Sequence, residues 1–137
     1  MNELPLVSQW LQSLLTADGQ LQALVGERIY VWRAPVGSTY PVVVYQPMNA
    51  LDTVNEAVRV LTRTLYMVKA IAAGSYATAK SIADRIDAIL TQQHGAVTGA
   101  YVPGCYRERP LDLPPDMVGD TPYYSLGGLY RIDIHAL

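Results

Sequence analysis

Apolar residues near the start of the chain recur at the spacing of an amphipathic helix. Successive members of this set are three or four positions apart, which places them on one helical face: Leu4, Val7, Leu11, Leu14 and Leu15. We therefore predict a helix over residues 4–17, followed by a short helical turn that ends at Gly26.

The pattern then changes to the period of two that β-strands show. Residues 28–33, 41–49 and 61–73 are rich in β-branched and aromatic side chains, and we predict a strand over each. The stretch APVGSTYP, residues 34–41, joins the first two strands and is interpreted as a connector that sets their register. The second and third strands are predicted to form a long hairpin with a polar tip.

A second amphipathic helix is predicted over residues 76–93. Ser75 is placed to cap its start, and Lys80 and Asp84 lie one turn apart on its outer side. His94 follows the helix, where an imidazolium would stabilise the last carbonyl groups. The apolar residues again share one face: Ala79, Ile82, Ala83, Ile86, Ile89 and Leu90.

Two more strands are predicted, over residues 97–110 and 123–136, with a mobile loop across residues 112–122 and a bulge at Gly127 and Gly128. The order of elements predicts an α+β fold: a mostly antiparallel sheet of four to five strands with helices packed on one face. A length of 137 residues predicts one domain spanning residues 1–137.

Composition narrows the function classes. Half of the residues are apolar, and the formal net charge is -2, which gives no general attraction to nucleic acid. There are ten Tyr and no Phe; polar-tipped rings suit an interface, and Tyr-rich strands of an ordinary sheet explain them equally well. The chain shows no signal peptide or apolar membrane span, so we expect a protein made in the cytoplasm.

The search for chemistry finds few candidate residues. His135 and Asp133 alternate on the last strand and could form a base with an orienting carboxylate, but such pairs are usually solvated surface. Cys105 is the only Cys and is interpreted as a buried or half-buried thiol. Three Asp between residues 112 and 120 have the wrong spacing for a calcium loop. We therefore predict no catalytic residue, no cofactor and no metal, and no enzyme activity.

Several stretches, taken in order, carry a family resemblance. After the leading helix come GERIYVWRAP, YPVVVYQ, TLYMVKAIAAG and the helix AKSIADRIDAIL. Over roughly residues 4–92 this order resembles the tail completion proteins of long-tailed bacteriophages, also called tail terminator or tail-to-head joining proteins. The last two strands agree with that family only in type.

The resemblance implies a structural virion protein that forms a homohexameric ring. Such a ring caps the tail tube and joins it to the head connector or stopper protein at the head-tail junction, with DNA passing through the lumen without specific binding. Assembly would take place in the cytoplasm of the host bacterium, with no membrane involved.

Two segments are candidate assembly interfaces: the hairpin tip at residues 49–63 and the loop at residues 112–124. The candidate residues are Asp52, Glu56, Arg59, Arg63, Asp112, Asp116, Asp120, Tyr123 and Tyr124. Two rival functions remain open. One is a head-closing stopper or another neck-ring protein; the other is a small α+β ligand-binding protein or enzyme built on His135, Asp133 and Tyr130.

Overall fold

The computed structural model describes residues 3–55 and 58–136, and the side chains of residues 53–60 are outside the description. Over these residues the chain forms three helices and six strands. In chain order they are α1 (Glu3–Ala17), α2 (Gly19–Val25), β1 (Ile29–Val31), β2 (Val42–Asn55), β3 (Val58–Ala73), α3 (Tyr76–Leu90), β4 (Gly95–Val97), β5 (Ala100–Val118) and β6 (Thr121–Ala136).

All six described strands form one curled sheet in the order β1-β2-β3-β6-β5-β4. The α+β class is confirmed, but the predicted number of four to five strands is wrong. Four of the five strand pairings are antiparallel, in line with the predicted mostly antiparallel sheet. The sheet is mixed, because β1 pairs with β2 in parallel. The predicted strand 97–110 is divided in two, because Thr98 and Gly99 adopt positive φ angles of 26° and 77° and turn β4 back onto β5.

The predicted loop at residues 112–122 is also wrong. β5 continues through this segment to Val118, and only Gly119 and Asp120 form the turn into β6. Pro114 and Pro115 are accommodated at a register shift between Leu113 and Asp116, where a missing N–H group costs no ladder hydrogen bond. The segment is therefore the distal part of a β-hairpin.

The main core lies between the helices and one face of the sheet. The predicted apolar stripe of α3 is confirmed, since Ile82, Ile86 and Leu90 are fully buried there with Leu11 and Leu15 of α1. The sheet contributes alternate residues of its central strands to the same core: Tyr45, Tyr66, Val68, Tyr130, Ile132 and Ile134. We call the other side the helix-free face.

Tyrosine hydroxyl groups attach the helices to this core. Tyr66 donates to the Leu4 carbonyl at 2.7 Å and lies 2.8 Å from the Ser8 hydroxyl, both in α1. Tyr130 donates to Asp87 of α3 at 3.0 Å. Burial raises the pKa of both tyrosines, and it raises the pKa of Tyr45 to about 12. Part of the unusual tyrosine content therefore serves the core.

Polar side chains define the helix ends. Ser75 caps α3 as predicted, accepting from the Thr78 N–H at 3.2 Å. Asp18 caps α2 and also accepts two hydrogen bonds from Arg85, at 2.6 and 2.9 Å. The capping role predicted for His94 is wrong, because α3 ends at Leu90 and the His94 ring instead contacts the Tyr101 hydroxyl at 3.1 Å.

Gly127 and Gly128 pair in regular register with β3, so the bulge predicted there is wrong. The nearby register shift lies on β5, between Arg107 and Arg109. A Cβ atom on Gly127 would lie 2.6 Å from the Lys69 Cα atom, which is closer than side chains tolerate. Glycine is required here by the close approach of the strands. None of the described helices has the length and apolar character needed to cross a membrane.

Candidate assembly surfaces

The first predicted surface is the distal part of the β2–β3 hairpin. Asp52 accepts a hydrogen bond from Thr62 at 2.7 Å across the two strands. Arg63 pairs with Leu51 in the adjacent register position. Arg59 pairs with Val54, although its side chain is outside the description, and Glu56 lies outside the described residues.

Arg63 also belongs to a shallow depression on the helix-free face. Its volume is about 370 Å³, and its wall carries charges of both signs: Leu51, Arg63, Tyr106, Glu108, Arg131 and Asp133. Arg131 and Glu108 form an ion pair at 3.2 Å, and Asp133 is the register partner of Arg63. The mixed charges at this surface are thus partly matched within the subunit.

The second predicted surface is the distal part of the β5–β6 hairpin. Asp112 accepts a hydrogen bond from the Tyr76 hydroxyl at 2.8 Å, and this bond raises the pKa of Tyr76. Asp116 pairs in register with Tyr123, and Asp120 lies in the turn. The hairpin is acidic, because residues 110–124 contain these three Asp and no Lys or Arg.

Two aromatic contacts attach this hairpin to the rest of the domain. Tyr123 packs edge-on against Tyr40 of the connector, with ring centroids 5.0 Å apart. Tyr124 packs edge-on against Tyr76 of α3 at 5.7 Å. The two neighbouring tyrosines point to opposite faces of β6, so the base of the hairpin is held from both sides.

The predicted residues therefore form two separate groups at opposite ends of the sheet. β3 and β6 pair from Thr62 with Ile134 to Ala73 with Tyr123, so the β2–β3 tip lies beyond one end of this ladder. The β5–β6 turn lies beyond the other end. At about 3.3 Å per residue, the 16 residues of β3 span roughly 50 Å.

The residues of the rival enzyme reading do not converge on one site. Tyr130 faces the buried helical side, whereas Asp133 and His135 alternate onto the helix-free face. The His135 Nδ1 atom contacts the Ala136 carbonyl oxygen at 3.0 Å. Cys105 is buried, as predicted, and burial raises the pKa of its thiol to about 12. No cluster of three or more His, Cys, Asp or Glu suited to a metal occurs in the described part of the chain.

Sequence reasoning missed the exposed apolar side chains at the two sides of the sheet. Val31 and Trp32 lie at the β1 side, and Met48 and Leu51 lie on the distal part of β2. Leu113 and Met117 are exposed on the distal part of β5. The alternation of apolar residues along a strand predicts which side chains are buried, but it does not predict which strands lie at the edge of the sheet. The exposed apolar residues could therefore be identified only once the strand order was known.

The fold and these surfaces define the class of the protein. It is a small α+β domain whose distinguishing features are two extended hairpins and long open strand edges, and its described residues bring together no set of reactive groups. The chain matches the family model "Tail completion protein gp17" over residues 9–114, and it belongs to that family. It is a structural protein of the phage tail and a component of the virion.

A solved structure shares the fold. A chain of the "Virion of native gene transfer agent (GTA) particle" superposes with a TM-score of 0.76 at 21% sequence identity, and the match covers 92% of each chain. At this identity the likeness shows the fold alone. No curated protein sequence matches the chain.

Proposed function

We propose that this protein forms a ring of six copies that caps the tail tube and joins it to the head connector. The observation that carries this proposal is the position of the two hairpins at opposite ends of the sheet. A subunit that joins two different structures needs two separate contact surfaces. The β2–β3 and β5–β6 hairpins supply one at each end.

The chemistry of the two ends supports different partners. The distal part of the β5–β6 hairpin, residues 110–124, carries Asp112, Asp116 and Asp120 without a basic residue. The β2–β3 hairpin combines Asp52 and Arg63, and its sequence continues through Glu56 and Arg59. Opposed charges at an interface direct association and exclude wrong partners. We assign the acidic end to a partner surface with exposed Lys or Arg.

The role in this proposal is mechanical and carries no chemistry. No cofactor is required, and the formal net charge of -2 suits a lumen through which DNA passes without specific binding. The ring would lie at the head-tail junction of the virion. Its partners would be the tail tube protein and the connector or stopper protein.

Electron cryomicroscopy of particles assembled with and without the protein tests this proposal. We expect ring-shaped density at the head-proximal end of the tail, and separate heads and tails when the protein is absent. Normal joining in its absence would contradict the proposal. Density on heads that lack tails would favour the head-closing stopper.

A charge reversal in the acidic hairpin tests which surface acts. Asp120→Lys changes the exposed turn, while Asp84→Lys makes the same change in charge on the exposed side of α3. We expect Asp120→Lys to reduce the yield of joined particles and Asp84→Lys to leave it unchanged. Equal yields for the two variants would remove the acidic hairpin from the proposed contact.

A further inference from the structure

Both outer strands of the sheet are only partly covered, and the uncovered parts lie at opposite ends. β1 pairs with β2 at Val43–Tyr45, and no described strand lies on the outer side of β2 beyond this segment. β4 pairs with β5 at Ala100–Val102, which leaves residues 103–118 open. Each side of the sheet therefore has a step: one short strand that protrudes and one recess beside it.

The two steps are complementary. β1 protrudes at the end of the sheet that contains the β5–β6 turn, and the recess along β5 lies at that same end. β4 protrudes at the end that contains the β2–β3 tip, and the recess along β2 lies there. When a second copy is placed beside the first in the same orientation, each protruding strand meets a recess.

We propose that neighbouring copies interlock along these edges, with β1 of one copy against β5 of the next and β4 of that next copy against β2 of the first. This inference rests on the proposed ring and names the surfaces that close it. The contact is heterologous, because each copy uses two different edges, and such contacts form rings when the rotation between copies closes. β1 would run antiparallel to β5, and β4 would run parallel to β2.

Exposed apolar residues concentrate on these edges. Val31 is 44% exposed and Leu51 is 69% exposed, while Met117 is 61% exposed. Most of the large exposed apolar residues of the described chain lie on β1 and its connector, on the open part of β2 or on the open part of β5: Val31, Trp32, Val36, Met48, Leu51, Leu113, Met117 and Val118. Apolar groups gathered at one surface indicate a contact with another protein.

Charge complementarity favours a second copy as the occupant. The recess along β5 contains Asp112 and Asp116, with Asp120 in the following turn. The segment entering it from the neighbouring copy begins with Arg28, which is partly exposed and directly precedes β1. Ile29 lies level with Asp112 in the rows of the sheet, so Arg28 comes beside this carboxylate. An Arg beside carboxylates at a desolvated edge forms strong, directional hydrogen bonds.

Prolines restrict what can bind the β5 edge. Pro103, Pro110, Pro114 and Pro115 have no N–H group to donate, so a long foreign strand cannot form a continuous ladder there. A strand of three residues such as β1 needs only a short stretch of edge. The prolines therefore allow a short, defined contact while preventing indiscriminate strand addition.

The register of the sheet predicts which residues meet. One row crosses all the long strands at the level of β1: Tyr30, Val44, Lys69, Gly127 and Leu111. Continued into the next copy without stagger, this row brings β1 opposite Leu111, within a few residues of Leu113. At the other step, Ala96 of β4 lies level with Thr53 of β2, two residues from Leu51.

Cysteine cross-linking with a short bismaleimide tests the interlock. One variant carries Val31→Cys and Leu113→Cys, and a second carries Ala96→Cys and Leu51→Cys. The control carries Leu24→Cys and Ala88→Cys, two exposed positions on the helices. The native Cys105 is buried and stays in all variants. Thermal melting confirms that each variant is folded.

In assembled particles, and in the purified protein at high concentration, we expect both edge variants to shift from single chains to a ladder of covalent multimers. The control should remain a single chain. Variants with only one of the two cysteines should cross-link when mixed as partners but not alone. Self-cross-linking of Val31→Cys alone would show an isologous contact and overturn the inference.

The result separates this inference from the proposed function. Particles that show the ring but no edge cross-links in either variant would overturn the interlock and leave the tail-completion ring in place. Edge cross-links in purified protein, combined with normal head-tail joining in its absence, would support the interlock and reject the proposed position in the virion.

Discussion

Replacement of Tyr66 by Phe measures how much the Tyr66 hydroxyl contributes to the free energy of unfolding by binding α1 to the sheet. Tyr66 is fully buried, and its hydroxyl contacts both the Leu4 carbonyl and the Ser8 hydroxyl. The substitution keeps the ring and leaves both α1 groups without this partner. At about 1 kcal/mol for a neutral hydrogen bond and about 1–3 kcal/mol for a buried group left unpaired, we expect a loss of roughly 1–2 kcal/mol.

Thermal unfolding gives the assay. A chain of 137 residues has an unfolding entropy of about 0.3 kcal/mol/K, so this loss lowers Tm by roughly 3–7 °C. Tyr106→Phe is the matched control, because that ring is largely exposed, and its Tm should stay within about 2 °C of the parent. Adding Ser8→Ala should cost less in the Tyr66→Phe background than alone. Equal Tm values for Tyr66→Phe and Tyr106→Phe would refute the reasoning.

Three further predictions concern titration and close packing. The pKa of Asp18 is lowered mainly by its hydrogen bonds to Arg85, so the stability of the fold should decrease as the pH drops below about 4. In a melting series from about pH 5 to pH 2, the Tm of Asp18→Asn should decrease less than the Tm of the parent. Since burial raises the pKa of Tyr45 to about 12, tyrosinate absorbance should show a delayed fraction above pH ~10, and stability should fall over that range. This fraction should be smaller in Tyr45→Phe but still present, because the pKa values of Tyr66 and Tyr130 are also raised. Gly127→Ala should destabilise by about 1–3 kcal/mol in a urea titration, whereas Gly19→Ala, which meets nothing within 4 Å, should not.

Local periodicity predicted the elements that depend on neighbouring residues. The α1 and α3 helices and the β2–β3 hairpin follow from apolar spacing and from Ser75 at the start of α3. The parallel pairing of β1 with β2 was not predictable, because a three-residue strand carries no directional signal. A loop was wrongly predicted at residues 112–122 because Pro114 and Pro115 are unusual within a strand. Only the pairing of β5 with β6 shows that these prolines lie in an outer strand, where they are tolerated.

The candidate surfaces were predictable in part. Asp52 was correctly predicted in the β2–β3 hairpin, whereas Asp112 and Asp120 were predicted in a loop and lie in the β5–β6 hairpin. The two groups lie at opposite ends of the sheet because β3 pairs with β6. The spacing of residues along the chain does not predict this pairing. The open edges on β2 and β5 likewise depend on which strands remain outermost. The roles of these residues in assembly stay a prediction.

The direction of the strands gives the domain a mechanical property. β3 and β6 lie antiparallel over twelve register pairs, and the two hairpin tips project from the two ends of this ladder. A pull between the tips therefore acts along the strands and loads the whole set of inter-strand hydrogen bonds in shear, instead of opening them one after another as in a zipper. The sheet can therefore transmit tension between its two ends with little extension.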